Sequence, residues 1–431
     1  RLFEHATTFG SLIQVPEGVA EKLPALKQLS EATSQDLFVS EALKRLEPLV
    51  QQTELLAAQY DAVVANPPYM GSSGMNAPLK KFAKDNFPDA KSDLFACFIE
   101  QGYTLARDSG HITMVTMQSW MFLSSFQQLR ERMLCEKTVT TMAHLGARAF
   151  GSISGEVVQT TSFVLRNRLL REFKPVFFRL LDGKEAEKRS ALASGENRFD
   201  TIKQDAFKRI PGSPIAFWVG ERVLSAFESP KLGQTYAVRS GLTSGDKPRF
   251  VRNWSECNIT EVNFDARAGC VNNRRWFPHN AGGPLRKWYG NRVNVINWDS
   301  DGREVRGFKG STVRSPQYYF RSGVTWTDVS SSFFSARYLP CGSVFENTGS
   351  LVVLEGDEAL SVLGFMCSVV AKQMMDIMNP TLHYGVGEVS RLPSVSVSGE
   401  AELIRHSSKC VELSRLDWDA YERSWDFQSL P

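Results

Sequence analysis

The stretch YDAVVANPPYMG, residues 60–71, carries an apolar segment directly into Asn66, Pro67, Pro68 and Tyr69. YDAVVAN has the length and composition of a short buried strand. Proline cannot donate to a sheet ladder, so the strand must end where the two prolines begin. The sequence therefore predicts a strand followed by a stiff turn that presents Asn66 and Tyr69.

The residues after this turn alternate between helix-like and strand-like segments. SDLFACFIEQGYTLA has apolar residues at helical spacing, and GHITMVT follows it as a second strand. SSFQQLRERMLC is typical of another helix, and VTTMAHLG and TTSFVLRN are typical of strands. Alternation of this kind predicts a doubly wound α/β sheet over residues 1–168.

The character of the sequence changes twice beyond residue 168. Residues 169–213 are polar and charged without a sustained period, which indicates a linker, or a strand and loop that bridge two domains. Residues 214–395 consist of short aromatic and β-branched segments between turn residues, and predict a mixed α+β domain with one helix in EALSVLGFMCSVVAKQMMDIM. Residues 396–431 return to a polar helical pattern, as at the start of a C-terminal helical region.

Composition excludes several classes of protein. The 431 residues are 42% hydrophobic and contain no apolar run long enough for a membrane span, so a folded protein with no membrane partner is expected. The seven cysteines are far apart with no C-x-x-C pair, and the six histidines form no H-E-x-x-H motif. We therefore expect reduced thiols in a cytoplasm, with neither a metal site nor a disulfide framework.

The charge distribution is more informative than the net charge of +3. Residues 231–330 contain sixteen Lys and Arg against eight Asp and Glu, together with five of the nine tryptophans. Cations interleaved with flat rings are typical of a nucleic-acid groove, although a solvated basic face over an aromatic β core has the same composition. The candidate phosphate contacts are Lys247, Arg249, Arg274, Arg275, Arg286 and Lys287.

The position of the Asn66–Tyr69 turn indicates its chemistry, because ligands of open α/β sheets bind beyond the carboxyl ends of the strands. An aromatic amino group is a poor nucleophile because its lone pair is delocalised into the ring. If the Asn66 side-chain oxygen and the Pro67 carbonyl accept its two hydrogens, a pyramidal nitrogen is favoured. Tyr69 offers a ring on which an extruded base can stack. The expected reaction is methyl transfer with Asn66, Pro67, Pro68 and Tyr69 as catalytic residues.

From the tetrapeptide onward the sequence resembles the N6-adenine DNA methyltransferases of the gamma order. The motifs that carry the resemblance are DLFACFIEQGYTLARDSGHITMVTMQSWMFL and LGARAFGSISGEVVQTTSFVLRNR. The resemblance implies S-adenosylmethionine as cofactor and a catalytic domain that precedes a target-recognition domain. It also implies that Phe150 contacts the target base and that Phe98 lies beside the adenine of the cofactor. Asp93, just before the helix that carries Phe98, is the second candidate for cofactor contact.

Further motifs are similar to the adenine methyltransferases of BREX phage-defence systems, the PglX type. These are SGLTSGDKPRFVRNW, AGGPLRKWYGNRVNVINWDSDGREVRGF, GEVSRLP and LDWDAYERSWDF, so the resemblance covers essentially the whole chain. It implies site-specific methylation of adenine in double-stranded DNA by base flipping, which marks host DNA in a bacterial cytoplasm. The implied further partners are other BREX proteins and phage-encoded inhibitors.

One departure from the family pattern concerns the cofactor loop. The expected G-x-G sequence is missing from residues 1–59. We therefore expect an internal fragment with a Rossmann-like methyltransferase sheet that is incomplete at its N-terminal side. Two alternatives remain open: a glutamine-N5 protein methyltransferase, whose family uses the same tetrapeptide, and a catalytically silent DNA-binding or scaffold piece of the defence complex.

Overall fold

The computed structural model describes residues 2–32, 35–150, 158–267, 274–394 and 399–428. The chain forms two compact units, residues 1–219 and 220–431, and each unit contains both helices and strands. The prediction of a mixed α/β protein is thereby confirmed. Residues 151–157 of the LGARAFGSISGEVVQTTSFVLRNR motif lie outside the described residues, as do residues 395–398 at the predicted end of the second domain.

The strands of the first unit are β1 (Tyr60–Ala65), β2 (Ala106–Met117), β3 (Thr138–Gly146), β4 (Thr160–Arg166), β5 (Val176–Arg179) and β6 (Arg198–Phe199). Its helices are α1 (Ala6–Phe9), α2 (Glu17–Ala20), α3 (Leu23–Ser30), α4 (Leu37–Ala57), α5 (Ala77–Asn86), α6 (Leu94–Leu105), α7 (Gln127–Glu136) and α8 (Glu185–Ser194).

The described strands of the first unit form one sheet in the order β1-β2-β4-β3-β5-β6. β1 pairs with β2 in parallel, β4 is antiparallel to both β2 and β3, and β3 pairs with β5 in parallel. The carboxyl ends of β1, β2 and β3 therefore lie at the same edge as the start of β4. We call this edge the carboxyl edge of the sheet.

Helix α6 covers the first two strands of this sheet. Its apolar residues are buried in the core of the unit, and Asp93 caps its first turn. Gly102 allows the helix to lie close to β2, because a Cβ atom there would stand 3.0 Å from Ile112 and 3.1 Å from Met114. The helix and both strands occur where the sequence pattern predicts them.

Residues 169–213, which the sequence analysis assigned to a linker or a bridging strand, contain β5, α8 and β6. β5 continues the sheet by pairing with β3, and Phe177 of β5 is fully buried in the core. Lys188 of α8 donates to the carbonyl oxygens of Leu145, Leu180 and Leu181 at 2.6 to 2.8 Å. This segment is thus an integral part of the first unit, because β5 extends the sheet and Lys188 of α8 binds main-chain carbonyl oxygens at the ends of β3 and β5.

The strands of the second unit are β7 (Ala237–Arg239), β8 (Val251–Asn253), β9 (Trp276–Asn280), β10 (Asn294–Asn297), β11 (Gly323–Trp326), β12 (Ala336–Leu339), β13 (Val344–Phe345) and β14 (Leu351–Val353). Its helices are α9 (Glu221–Ala226), α10 (Leu232–Thr235), α11 (Lys247–Phe250), α12 (Asp299–Gly307), α13 (Gly356–Met366), α14 (Val369–Met378), α15 (Val386–Ser390) and α16 (Glu400–Asp419). The described strands form two four-stranded sheets, β13-β9-β10-β8 and β12-β11-β14-β7.

The single helix predicted in EALSVLGFMCSVVAKQMMDIM is instead a pair of helices, α13 and α14, bent by 64°. Ser368 breaks the helix because its backbone is extended and its hydroxyl caps α14 through the amide of Ala371 at 3.1 Å. Over the described residues, no single helix is long and apolar enough to cross a membrane, and only this bent pair has the necessary length and composition.

Arg130 of α7 is a buried arginine that ties three loops of the first unit together. It is 1% exposed and donates to the carbonyl oxygens of Trp120 (2.8 Å), Leu123 (2.7 Å) and Gly212 (2.6 Å). Each of these acceptors loses a donor if the guanidinium is removed, and an unsatisfied buried carbonyl costs more than an exposed one. The residue therefore stabilises the approach of residue 212 to the loop that follows β2.

We predict that Arg130→Met lowers the free energy of unfolding by about 2–4 kcal/mol, because methionine fills similar space without replacing the three donors. The measurement is urea unfolding followed by fluorescence and circular dichroism. Gln128→Ala, at an exposed position of the same helix, is the matched control and should stay within about 0.5 kcal/mol of the wild type. Equal unfolding midpoints for both variants would contradict the structural role of Arg130.

Candidate active site and basic residues

The Asn66–Tyr69 turn lies at the carboxyl edge, where β1 ends at Ala65. Asn66 and Pro68 are exposed, Pro67 is buried, and Tyr69 is half-buried. The buried proline fixes the backbone against the sheet while the preceding carboxamide remains accessible to a ligand. The structure thus brings the four predicted catalytic residues together on one turn, with Asn66 as the outward-facing polar group.

Asp93 attaches this turn to α6. Its Oδ1 accepts hydrogen bonds from the amide of Met70 at 3.0 Å and from the amide of Phe95 at 3.4 Å, and the amide of Leu94 donates to the Met70 carbonyl oxygen at 3.0 Å. Burial raises the pKa of the Asp93 carboxyl, and hydrogen bonds from backbone amides oppose that shift. One carboxylate oxygen therefore caps the helix and holds the residue that follows Tyr69.

Tyr69 lies between Asn66 and the end of β2. Its hydroxyl is 3.3 Å from Asn66 Oδ1 and 3.4 Å from the carbonyl oxygen of Val115, so its single proton is shared between two weak acceptors. The ring meets Phe95 edge-on, with 6.3 Å between centroids. Burial raises the pKa of the Tyr69 phenol, which stays protonated at neutral pH. A ligand that displaces this hydroxyl gains access to Asn66 Oδ1.

The two predicted aromatic contacts occupy different elements. Phe98 lies on α6, half-buried against the core of the first unit. Phe150 is half-buried beyond the end of β3, at the carboxyl edge and next to residues that the structure does not describe. Both rings therefore keep part of their surface accessible. Of the described residues, no group of three His, Cys, Asp or Glu is arranged to hold a metal ion.

A cavity of about 610 Å³ lies at the opposite end of β1. Its lining includes Tyr60, the first residue of β1, and Leu105, the last residue of α6. Asn66 lies six residues after Tyr60, and a strand rises about 3.3 Å per residue, so the two residues are about 20 Å apart. A molecule confined to this cavity would not reach Asn66, and the cavity is not part of the candidate site.

Sequence reasoning missed a polar group at the carboxyl edge, formed by Gln118, His144 and Gln159. His144 Nε2 is 2.6 Å from Gln118 Oε1, and Gln118 Nε2 donates to Gln159 Oε1. The residues lie after β2, near the end of β3 and before β4. Their positions at strand ends were a usable signal, but the contact between them depends on the strand order, which the sequence pattern does not reveal.

Two of the predicted phosphate contacts, Lys247 and Arg249, lie on α11. Lys247 Nζ is 2.9 Å from Glu346 Oε2, and Glu346 is buried. Arg249 lies 3.9 Å from Glu304 and stacks over the rings of Phe250 and Phe308. Both side chains remain more than half exposed, so each retains a face toward solvent.

Arg286 and Lys287 have their head groups engaged inside the second unit. Arg286 donates to the carbonyl oxygens of Tyr289 (2.7 Å) and Ser414 (3.2 Å) and pairs with Asp417 at 2.5 Å. Lys287 donates to the carbonyl oxygen of Cys367 at 2.8 Å. Any contact of these two cations with a phosphate would compete with those bonds, because the donors already have acceptors.

Arg274 and Arg275 are placed differently, since both side chains are exposed. Arg274 makes one hydrogen bond to the Val262 carbonyl oxygen at 2.6 Å, and Arg275 lies over the ring of Trp276 at 5.2 Å. Of the six predicted contacts, only Arg274 and Arg275 are exposed and have no ion pair with a carboxylate of the described residues. The six residues therefore do not form one uniform basic surface.

Comparisons with known proteins identify the family of this chain. Residues 19–150 match the family model of the Eco57I restriction-modification methylase. The chain is 45% identical over 435 residues to the adenine-specific methyltransferase BrxX of Escherichia coli O9:H4 (strain HS), covering 99% of this chain and 35% of that protein. It is 37% identical over 399 residues to the adenine-specific methyltransferase PglX of Lacticaseibacillus casei (strain Zhang), covering 89% of this chain and 33% of that protein.

Among solved structures, the Type IIL restriction-modification enzyme MmeI in complex with DNA is similar in fold, with a TM-score of 0.50 and 11% identity. The similarity covers 85% of this chain and 50% of that chain. The two relatives that match nearly the whole chain define its class as adenine-specific methyltransferases. Within it, the chain is a homologue of the BrxX and PglX adenine-specific methyltransferases, which confirms the resemblance predicted from its sequence. It spans about a third of the length of these two relatives.

We predict that Asp93→Ala loosens the Asn66–Tyr69 turn, because the amides of Met70 and Phe95 lose their shared acceptor. The expected cost is about 1–2 kcal/mol, with faster hydrogen exchange at the Met70 amide. Asp93→Asn keeps an acceptor oxygen and should have a smaller effect.

The matched control is Asn76→Ala, which removes the cap of α5 through the Leu79 amide (2.9 Å) and leaves Asp93 in place. It should cost a similar free energy without changing exchange at Met70. Unchanged protection of the Met70 amide in Asp93→Ala would show that the turn is held by other contacts.

Proposed function

We propose that this chain is part of a site-specific DNA adenine-N6 methyltransferase that uses S-adenosylmethionine and marks host DNA in a BREX-type defence system of a bacterial cytoplasm. The observation that carries the proposal is the exposed Asn66 carboxamide on a turn that Pro67 and Asp93 hold rigid at the carboxyl edge. The names of both curated homologues support adenine as the target.

The mechanism rests on two fixed acceptors. Asn66 Oδ1 and the Pro67 carbonyl oxygen accept the two hydrogens of the adenine amino group, and its lone pair is thereby directed out of the ring plane. The base reaches them only after it leaves the duplex, and then stacks on Tyr69. Arrival of the amino group at Asn66 Oδ1 replaces the 3.3 Å contact with the Tyr69 hydroxyl. That hydroxyl retains the Val115 carbonyl oxygen as its acceptor.

S-adenosylmethionine supplies an electrophilic methyl group when it is bound. Phe98 fits the expected contact with its adenine, because the ring is half-buried and keeps an accessible part. Asp93 fits less completely, since its Oδ1 already accepts two amide hydrogens and only Oδ2 is left to accept from a ligand. Phe150 is proposed to contact the extruded base, in line with its place at the carboxyl edge.

The second unit is proposed to read the DNA target. Its exposed cations Arg274 and Arg275 would contact phosphates, with Lys247 and Arg249 as further contacts. Other BREX proteins and phage-encoded inhibitors are proposed as partners of the whole protein. A methyl acceptor in a protein, such as a glutamine amide, is the outcome that would replace this proposal.

We predict that Asn66→Ala in the intact protein abolishes adenine methylation and leaves affinity for the duplex nearly unchanged. Asn66 acts on the reacting amino group and contributes little to the phosphate contacts that dominate affinity. The measurements are transfer of labelled methyl groups to DNA and equilibrium binding of the same duplex.

Tyr69→Phe and Tyr69→Ala provide the companion test, because stacking needs the ring more than the hydroxyl. Tyr69→Phe should be the milder of the two. Full methylation by Asn66→Ala would rule out the mechanism, and methyl transfer by the wild type to a protein glutamine instead of DNA would replace the proposed function.

We predict that two pairs among the six candidate phosphate contacts respond differently to substitution. Arg274→Ala with Arg275→Ala should weaken DNA binding and flatten its salt dependence, by up to about 0.9 in log-log slope for each phosphate that the protein no longer neutralises. Arg286→Ala with Lys287→Ala should instead lower the melting temperature, since the carbonyl oxygens of Ser414 and Cys367 lose their donors.

Titration of a duplex at several salt concentrations, together with thermal unfolding, distinguishes the two effects. If the Arg274 and Arg275 pair changes neither affinity nor salt slope, the exposed basic residues are only solvated and recognition lies elsewhere in the whole protein. If the Arg286 and Lys287 pair flattens the slope without loss of stability, those residues contact DNA despite their internal bonds.

A further inference from the structure

The polar group of Gln118, His144 and Gln159 lies at the same edge as the catalytic turn but has no part in the mechanism above. The main chain holds the two glutamines side by side, because the amide of Gln118 donates to the carbonyl oxygen of Gln159 at 2.9 Å. His144 is 4% exposed, whereas Gln159 is exposed. The group therefore runs from a buried imidazole to an accessible carboxamide.

Burial fixes the protonation state of His144. Desolvation, assisted by the positive charges of Arg179 and Lys188, lowers the pKa of His144 to about 4, so the ring is neutral at physiological pH. The Trp218 ring stacks on the His144 ring with 6.0 Å between their centroids. The Arg179 guanidinium lies over the Trp218 ring, 4.8 Å from its centroid. A neutral imidazole carries one N–H, and its position decides the direction of every hydrogen bond that follows.

The hydrogen-bond polarity follows from the imidazole outward. Gln118 Oε1 faces His144 Nε2 at 2.6 Å, and an oxygen there requires the ring proton on Nε2. The Gln118 amide nitrogen then faces Gln159, whose Oε1 accepts from it. Gln159 is left with its Nε2 as the free end of the chain. In the described part of the protein, that Nε2 donates no hydrogen bond.

The free donor lies at the same edge of the sheet as the proposed position of the extruded base. Tyr69 is in contact with Val115 of β2, and Gln118 follows three residues later on the same strand end. At about 3.3 Å per residue the two positions are about 10 Å apart along the strand, and Gln159 lies beside Gln118 on the side of β4, about 5 Å further across the sheet. A base stacked on Tyr69 and an extended glutamine side chain cover that distance. The two atoms assigned to the amino group, Asn66 Oδ1 and the Pro67 carbonyl oxygen, are acceptors, so a ring nitrogen of the base takes its donor from another group.

We propose that Gln159 is a specificity-determining residue whose Nε2 donates a hydrogen bond to a ring nitrogen of the extruded adenine, and that Gln118 and His144 are positioning residues that fix the polarity of its carboxamide. This inference rests on the proposed function of the Asn66–Tyr69 turn. A ring nitrogen is the fitting acceptor because the donor is neutral and oriented, whereas phosphates are contacted by mobile cations. Guanine, which carries a hydrogen at N1, would lose this bond if N1 is the acceptor.

The test uses the full-length protein and duplexes that contain its methylation site. The target adenine is replaced in turn by 1-deaza-, 3-deaza- and 7-deazaadenine, each of which lacks one ring acceptor. For the wild type, one analogue should lower kcat/KM by about 5- to 150-fold more than the other two. Gln159→Ala should lose a similar factor on normal adenine and should no longer distinguish that analogue.

Two further variants distinguish loss of the Gln159 hydrogen-bond donor from loss of the local structure. Gln159→Glu keeps an acceptor for Gln118 Nε2 but replaces the donor with a negatively charged oxygen, so it should lose at least as much activity as Gln159→Ala and should likewise not distinguish the analogue. Gln118→Leu should lose part of the same factor alone, and less than about twofold when combined with Gln159→Ala, because it acts through Gln159. Gln128→Ala, exposed on α7, is the control with wild-type kinetics.

Each outcome decides the matter. If the Gln159 variants discriminate among the analogues as the wild type does, the proposal is wrong. A uniform loss on all analogues with a flatter salt slope would assign Gln159 to a phosphate and overturn it too. If the wild type transfers no methyl group to adenine, the proposed function itself fails. Retention of methylation with loss of the analogue effect in both Gln159 variants supports the inference.

Discussion

The parallel pairing of β1 with β2 places the Asn66–Tyr69 turn at the same edge of the sheet as the residues that follow β2. Two parallel strands end at the same edge, so the turn after β1 and the residues after β2 are neighbours in space although they are about fifty positions apart in the chain. β4 enters from that edge between β2 and β3, and brings Gln159 beside Gln118. A different strand order would separate the same residues.

Asp93 gives the segment that follows β1 a defined conformation. A strand that ends in two prolines loses its ladder hydrogen bonds, and the chain beyond it needs another anchor. The carboxylate supplies one by accepting from Met70 on one side and from the first turn of α6 on the other. The same helix packs on β2 through Gly102. The turn is therefore attached to the sheet twice, directly through β1 and indirectly through α6. Asn66 can therefore be exposed to solvent while the turn that carries it keeps a defined conformation.

The sequence pattern was sufficient for elements whose burial follows a simple period. β1 to β4, α6 and α7 were predicted because their apolar residues repeat at strand or helix spacing. The pattern was insufficient where the structure of a segment depends on contacts with residues far away in the sequence. The polar segment 169–213 contributes β5 because Phe177 reaches the core beside β3, and the apolar segment after Glu358 bends because Ser368 can cap a second helix. The hydrogen bonds of the Gln118 group likewise depend on strand order, which no local pattern contains.

Residues 231–330, the basic window of the chain, show why composition alone could not choose between a DNA groove and a solvated face. A count of charges assigns the same weight to Arg275, whose guanidinium is exposed over an indole, and to Arg286, whose donors are used by main-chain carbonyls. A count of tryptophans has the same weakness, because Trp298 and Trp326 are buried in the core of the second unit and offer no face to a nucleic acid. Affinity for phosphates depends on cations that are free to exchange their counterions, since the release of those ions drives binding. The part of the window that can serve a polyanion is therefore defined by its accessible guanidinium groups, and it is much smaller than its net charge implies.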